Sequence, residues 1–558
     1  MFEKRLKNET ITLYLAGEMI LNPDQYDTIS TPDRTMKKYI QPGSKNVSLS
    51  LIILLIVLIT ASCDRSGSSD SLPRGTPEAE GISSGAIIAF LDAVEESRQE
   101  LHSFMILRHG KVVAEGWWNP YKPELKHTLY STSKSFTSTA IGFAVTENLL
   151  TVEDKVISFF PESIPDSVSK NLAAMRIKDL LTMSAGQDPE PTFSMLPSSN
   201  WVKDFLSAPV PNEPGSTFLY NLAATYMLSA IITKVTGNTV LEYLTPRLFE
   251  PLQIEGMDWE VDPDGINTGG WGLRLKTEDM AKFGQLYLQK GEWNGMQVIS
   301  EAWVEEATTK KIDQAPDLSE EEKSNSDWQQ GYCYKFWRSR HNSYRADGAY
   351  GQYILILPEK DAVIAITAEA GDMQKELNLV WDHLLPAMKD EALPPNKELQ
   401  TRLEDRIASL VLEPPIGKEH PEKEAEISGS AFTFAEQEEY EKVSFKFSDG
   451  QCTMKQNIGD KNFHFVFGNG KWILGETEKR GTNLLAQPEK YIVDLMPFKV
   501  AGAYRWIEPN TLELTLRYIE SPHSDHYTII FEGESILMKY TNSRDRRESS
   551  PVLKGKKI

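Results

Sequence analysis

Ser131-Thr132-Ser133-Lys134 sets a hydroxyl and an amine three residues apart, and the apolar run Ala140-Ile141-Gly142-Phe143-Ala144-Val145 follows closely. Residues three apart share one face of a helix, so a serine on the first turn can lie beside the lysine one turn on. Serine becomes a nucleophile when a nearby base takes its proton, and a lysine whose surroundings favour the neutral form can be that base. The letter pattern alone is weak, because about two matches arise by chance in a chain of this length. A second copy, Ser167-Val168-Ser169-Lys170, does occur. It follows Pro161 and Pro165 in a polar stretch and reads as a surface turn or helix cap.

Two further stretches can complete such a site. Tyr220 closes Pro214-Gly215-Ser216-Thr217-Phe218-Leu219-Tyr220, just ahead of the helical run from Tyr226 to Ile232. A tyrosine at a loop-to-helix junction reaches into a cleft. A neighbouring lysine ammonium favours its phenolate, which suits it to carry a proton to a leaving group. Tyr226, inside the apolar run, is assigned to the core. The third stretch is Arg345-Ala346-Asp347-Gly348-Ala349-Tyr350-Gly351-Gln352, immediately before an apolar strand. Its glycines allow a ligand close to the backbone, and an N–H there, paired with that of Ser131, can hold the oxyanion of an acyl-transfer intermediate. Read alone, Asp347 is an ordinary turn residue.

These residues need a frame. Ser83-Ser84 caps an apolar-periodic helix through Ala86, Ile87, Phe90 and Leu91, and strands Ser103 to Leu107 and Val112 to Trp117 flank the turn His109-Gly110. Strands Tyr353 to Leu357 and Ala362 to Thr367 flank Pro358-Glu359-Lys360-Asp361, and a helix from near Gln374 to about Leu385 closes the region. Helices at both ends with strands between them predict an α+β domain, helices packed on an antiparallel sheet. Residues 392–425, rich in Pro, Glu and Lys, read as a linker with one helical stretch near Leu399 to Leu412. Residues 426–546 carry short strands at Val443 to Phe447, Phe463 to Phe467, Leu512 to Leu516, Tyr527 to Phe531 and Ile536 to Tyr540, which predicts a small all-β barrel or sandwich. No catalytic cluster stands out in it; His523 and His526 fall in a polar stretch expected to face solvent. Residues 547–558 read as a basic tail.

In this order the three pieces resemble the serine β-lactamase and penicillin-binding superfamily, in particular its class C β-lactamase, D-alanyl-D-alanine carboxypeptidase and esterase branch, of which Ser-x-x-Lys is a signature. The resemblance covers residues 75–391 and extends to Leu107-Arg108-His109-Gly110-Lys111, Asp179-Leu180-Leu181-Thr182-Met183-Ser184-Ala185-Gly186 and Gly269-Gly270-Trp271-Gly272-Leu273. It implies a β-lactamase-like fold, with Ser131 the acylated nucleophile, Lys134 its activator and Tyr220 the tyrosine of the Tyr-x-Asn element. Asn221, Asp347 and Gly348 then fall at substrate-binding positions, and Ala349 N–H completes an oxyanion hole with Ser131 N–H. Two positions depart from the family. Leu222 stands third in Tyr-x-Asn, with Asn221 one residue early, and Ala346-Asp347-Gly348 lacks the basic residue that attracts the carboxylate of a β-lactam or a D-Ala terminus. The expected activity is a serine hydrolase forming an acyl-enzyme with an ester, amide or β-lactam of a small molecule or peptide, without a cofactor. The alternative is a catalytically silent cell-wall or ligand-binding protein that keeps the fold.

A net charge of −21 over 558 residues, with 40% apolar and 25% charged, is globular and argues against a nucleic-acid partner. Cys333 and Cys452 fall in different regions, so no pairing is expected, and neither His-Glu-x-x-His nor paired Cys-x-x-Cys proposes a metal. Gly81-Ile82-Ser83-Ser84-Gly85 matches a nucleophile elbow by letter but lacks the buried strand an elbow needs. Cys63 ends the apolar run Leu51 to Ile59 through Thr60-Ala61-Ser62, behind Lys37, Lys38 and Lys45. That pattern resembles a bacterial lipoprotein signal and implies lipidation at Cys63, a tether over residues 64–74 and a catalytic domain outside the cytoplasm, anchored to the membrane. Met36 then reads as the natural start, with residues 1–35 a start-site extension.

Overall fold

The computed structural model describes residues 71–435, 441–485, 495–544 and 551–558; the signal-like segment and Cys63 lie outside them. The first hairpin forms as the sequence predicts. Strands β1 (Glu100–Arg108) and β2 (Lys111–Trp117) turn at His109 and Gly110, whose φ values of 50° and 72° give the left-handed turn that matches strand twist. Strands β3 (Trp337–Arg338), β4 (Tyr344–Gly348), β5 (Gln352–Leu357) and β6 (Ala362–Glu369) complete a six-stranded antiparallel sheet in the order β2-β1-β6-β5-β4-β3. Every residue of β5 is buried, because helices cover both faces of the sheet.

The framing helices are α1 (Ser84–Ser97), α2 (Ser133–Thr146), α3 (Leu222–Thr236), α4 (Thr277–Leu288), α5 (Met373–Leu379) and α6 (Lys397–Ala408). Helix α4 lies across β1, β5 and β6 on one face. On the other, Ile87, Phe90 and Leu91 of α1 join Phe104, Ile106, Tyr353, Leu355, Ile364 and Trp381 in one apolar core. The Ser83 hydroxyl accepts from Gly85 N at 3.1 Å, so Gly81 to Gly85 is a helix start, as the missing strand implied. Ser169 likewise caps the short helix Lys170–Ala174, which accounts for the second Ser-x-x-Lys copy.

Two segment expectations are corrected. The expected linker is docked: α6 packs along α1, Leu403 and Leu410 enter the domain core, and Arg406 pairs with Asp92 and Glu95. Charged residues dominate its composition, but its leucines recur at helical spacing and find the α1 face. The expected basic tail is a strand, β16 below; its lysines point outward while its backbone fills a gap in a barrel.

That barrel is built from β7 (Ala431–Thr433), β8 (Lys442–Ser448), β9 (Gln451–Ile458), β10 (Lys461–Asn469), β11 (Ile473–Thr477), β12 (Phe498–Glu508), β13 (Thr511–Tyr518), β14 (Ser524–Glu532), β15 (Ser535–Asn542) and β16 (Val552–Lys557). Neighbouring strands run β10-β9-β8-β7-β16-β15-β14-β13-β12, and β10 closes onto β12 through parallel pairs Gly468–Ala503 and Asn469–Tyr504, while β11 flanks β12. The result is a closed nine-strand barrel, one of the two forms expected. Phe445, Met454, Phe465, Trp506, Leu514, Tyr527 and Ile529 fill it. The barrel is joined to the sheet domain by partly buried polar contacts: Arg517 Nη1 pairs with Glu100 at 2.5 Å, and Tyr121 OH donates to Ser521 O at 2.9 Å.

Candidate active site

A 3-10 turn, Tyr130–Thr132, runs straight into α2, so Ser131 and Lys134 lie on consecutive turns. Lys134 Nζ sits 2.8 Å from Ser131 Oγ and donates to Gly270 O at 2.6 Å. Helix α2 is buried from Ser133 to Ala144, and Lys134 is only 1% exposed, whereas Ser131 is half-buried. Burial pushes the Lys134 amine down to about 7, against the pull of the Glu190 and Asp347 carboxylates. The neutral amine is therefore accessible near neutral pH.

The Gly269-Gly270 stretch explains how a carbonyl reaches that amine. Gly269 has φ 66°, and a Cβ there would meet Thr225 O and Ser229 Cβ at 2.9 Å each, so only glycine lets the loop press against α3. Thr137 Oγ1 donates to Gly269 O at 2.8 Å and fixes the loop to α2.

Tyr220 stands on the other side. Its ring centroid lies 4.9 Å from Lys134 Nζ, it has a hydrogen-bond interaction with Ser131, and it stacks on Trp337 at 5.8 Å. Phe218, Tyr332, Trp337 and Met183 make the apolar wall around it. Against the expectation of a favoured phenolate, burial raises the Tyr220 hydroxyl above the usual tyrosine range and outweighs the Ser131 hydrogen bond, so its surroundings favour the phenol.

The third stretch arrives on β4 and the turn into β5. Asp347 is buried and bound by Arg345, whose Nε donates to it at 2.8 Å. Burial, the largest influence, raises the Asp347 carboxyl although Arg345 and Lys134 oppose it. Gly348 packs on the turn that carries Ser131: a Cβ there would lie 2.2 Å from Leu129 O. Thr132 Oγ1 donates to Gln352 O at 2.8 Å, a second tie between the two turns. Ala349, half-buried, follows Gly348.

Asn221 is placed differently. Its Oδ1 accepts from Ala224 N at 2.8 Å as the cap of α3, and its Nδ2 donates to Gln187 Oε1 at 2.9 Å. Both ends of its amide are engaged inside the protein, so it presents no group to a ligand. Three neighbours carried no readable signal or a slight one. Glu190, in a proline-flanked loop, accepts from Thr192 Oγ1 at 2.6 Å and acts on Lys134. The Gly270 carbonyl is backbone. Lys335 is a buried lysine whose amine burial drives well below its ordinary value, with Lys134 adding to the effect; its Nζ lies 3.1 Å from Met183 Sδ. A lone lysine within Tyr332-Cys333-Tyr334-Lys335-Phe336-Trp337 was its one sequence cue.

The beta-lactamase family model matches residues 92–385, more than half of the chain. The chain belongs to the beta-lactamase family. Its match spans the sheet domain from within α1 to the end of the helical segment after α5, and includes Ser131, Lys134, Tyr220 and the β4–β5 turn. This beta-lactamase-family chain is similar to a 6-aminohexanoate-dimer hydrolase of Paenarthrobacter ureafaciens, 24% identical over 309 residues, covering 52% of this chain and 78% of the relative. Among solved structures it is similar to a Bacillus anthracis protein provisionally named as a 6-aminohexanoate-dimer hydrolase, at 20% identity and TM-score 0.47 over 60% of this chain and 88% of that one. It is also similar to the octameric penicillin-binding protein homologue of Pyrococcus abyssi, at 16% identity and TM-score 0.44 over 85% and 99%.

Proposed function

We propose that this β-lactamase-like hydrolase works through an acyl-enzyme on Ser131. The observation that carries the reading is the buried Lys134 amine 2.8 Å from the Ser131 hydroxyl, its hold on a proton weakened by burial. The amine takes the hydroxyl proton as Oγ attacks the carbonyl, and the oxyanion forms against the N–H groups of Ser131 and Ala349. Tyr220 then gives its proton to the departing alcohol or amine and recovers one from the Lys134 ammonium. A water repeats the sequence to release the acid.

The charges around the amine bear on the substrate. Glu190 and Asp347 are both carboxyls, and Arg345 is fully buried and committed to Asp347. A substrate carboxylate meets no welcome there, whereas a neutral acyl group or one ending in an amine does. We therefore assign esters and linear amides, including amides with a free amino end, ahead of β-lactams. The hydrolase name of the Paenarthrobacter relative agrees with that choice. A panel of p-nitrophenyl esters, amino-terminated linear amides, D-Ala-D-Ala peptides and nitrocefin tests it, together with a fluorophosphonate probe. Turnover of the first two and labelling lost in Ser131→Ala are expected. Equal labelling of Ser131→Ala, or nitrocefin as the best substrate, defeats the reading.

A further inference from the structure

Resting on Ser131 as nucleophile, we propose that His523, contributed by the barrel, is a positioning residue for the two turns that present the oxyanion-binding N–H groups. Those groups belong to Ser131 and Ala349. The residue before the first, Tyr130, has φ 47°, and the residue after the second, Tyr350, has φ 64°. Both lie in the left-handed region that side-chain-bearing residues avoid, so surrounding structure must hold them there.

His523 touches both. Its Nε2 is 2.8 Å from Tyr130 OH, and its ring meets the Tyr350 ring edge-on at 4.7 Å and 89°. Its Nδ1 is 2.6 Å from Glu369 Oε1, at the end of β6, and Ser543 Oγ donates to the same oxygen at 2.6 Å. A carboxylate only accepts, so Nδ1 carries hydrogen, and in the neutral ring Nε2 accepts from the Tyr130 hydroxyl. The imidazole is thereby fixed in one tautomer and one orientation between the central sheet and the nucleophile turn. It is fully buried, so it acts through Tyr130 and Tyr350 and not on a substrate. The barrel has other ties to the sheet domain, such as Arg517 to Glu100, but this one lands on the residues that flank both donors.

The test compares wild type, His523→Ala, Tyr130→Phe, the double variant and Arg517→Lys by kcat, KM, Tm and fluorophosphonate labelling rate on the full chain. His523→Ala is expected to lower kcat about tenfold with KM within about twofold. Tyr130→Phe, which removes one oxygen and carries the test by itself, is expected to lower kcat about threefold, and the double variant is expected to be no worse than His523→Ala. Arg517→Lys is expected to lower Tm with kcat unchanged. Unchanged kcat in Tyr130→Phe, independent losses in the double variant, or an equal kcat loss in Arg517→Lys overturns the proposal. A wild type that neither turns over ester nor takes label at Ser131 overturns the nucleophile reading and this one together; an active wild type with unaffected variants overturns this one alone.

Discussion

Lys134 Nζ donates to the carbonyl of Gly270 at 2.6 Å and lies 2.8 Å from Ser131 Oγ, so a neutral amine held there has its one lone pair within reach of the hydroxyl proton. The amine loses its proton near pH 7 because burial disfavours the ammonium. With the neutral form as the proposed base, kcat/KM is expected to rise about tenfold per pH unit below 7 and to level off above it. A flat profile between pH 5 and 8 counts against Lys134 as base. Lys134→Met is expected to cost at least about a thousandfold in kcat.

The same burial destabilises the fold. An unfolded lysine keeps its proton up to its ordinary 10.5, whereas the folded one releases it near 7. Between those values the unfolded chain binds more protons, so wild-type stability rises with pH across the window. Lys134→Met is expected to be more stable at pH 7 by about 1 kcal/mol or more, with the gap narrowing as the pH approaches 10. Urea denaturation at several pH values checks this, and a gap that widens with pH contradicts it.

Tyr220→Phe keeps the ring against Trp337 and removes only the donor. The loss in kcat is expected to reach about a hundredfold for an amide and to be much smaller for a p-nitrophenyl ester, whose leaving group needs no proton. Equal losses on both substrates exclude proton delivery as its role.

Asp347→Asn leaves the fully buried Arg345 guanidinium without its carboxylate. Stability is expected to fall by about 3–5 kcal/mol. Asp347 also pulls the Lys134 value upward, so its removal is expected to shift the acid limb of the rate profile below 7. An upward shift rules out the electrostatic link.

Gly348→Ala forces a Cβ against the Leu129 carbonyl at 2.2 Å, so the nucleophile turn must move. Activity is expected to drop about a hundredfold, as for a lost oxyanion donor. Near-normal turnover indicates that the turn is not held by this contact.

Most of the frame could be read from the chain. Two hairpins of the central sheet, β1–β2 and β5–β6, announced themselves as apolar runs around turn residues, and Ser131 with Lys134 by helical spacing ahead of an apolar run. What escaped reading depends on tertiary partners. His523 sits in a polar stretch whose composition suggests solvent, yet Glu369 and Tyr130, distant in sequence, satisfy both ring nitrogens and make burial affordable. Asn221 carries the right letter beside Tyr220, but the open N–H groups at the start of α3 claim it. Val552–Lys557 is rich in lysine, and no composition rule reports that its backbone completes a barrel.

The central sheet pairs β1 directly with β6, joining Glu100–Arg108 to Ala362–Glu369. The middle of the scaffold thus cannot exist until a growing polypeptide has emerged well past residue 369. Such long-range pairing slows folding and leaves apolar strands waiting for their mates. A nascent chain halted earlier would display the second edge of β1 unpaired, a sticky edge for chaperones or aggregation.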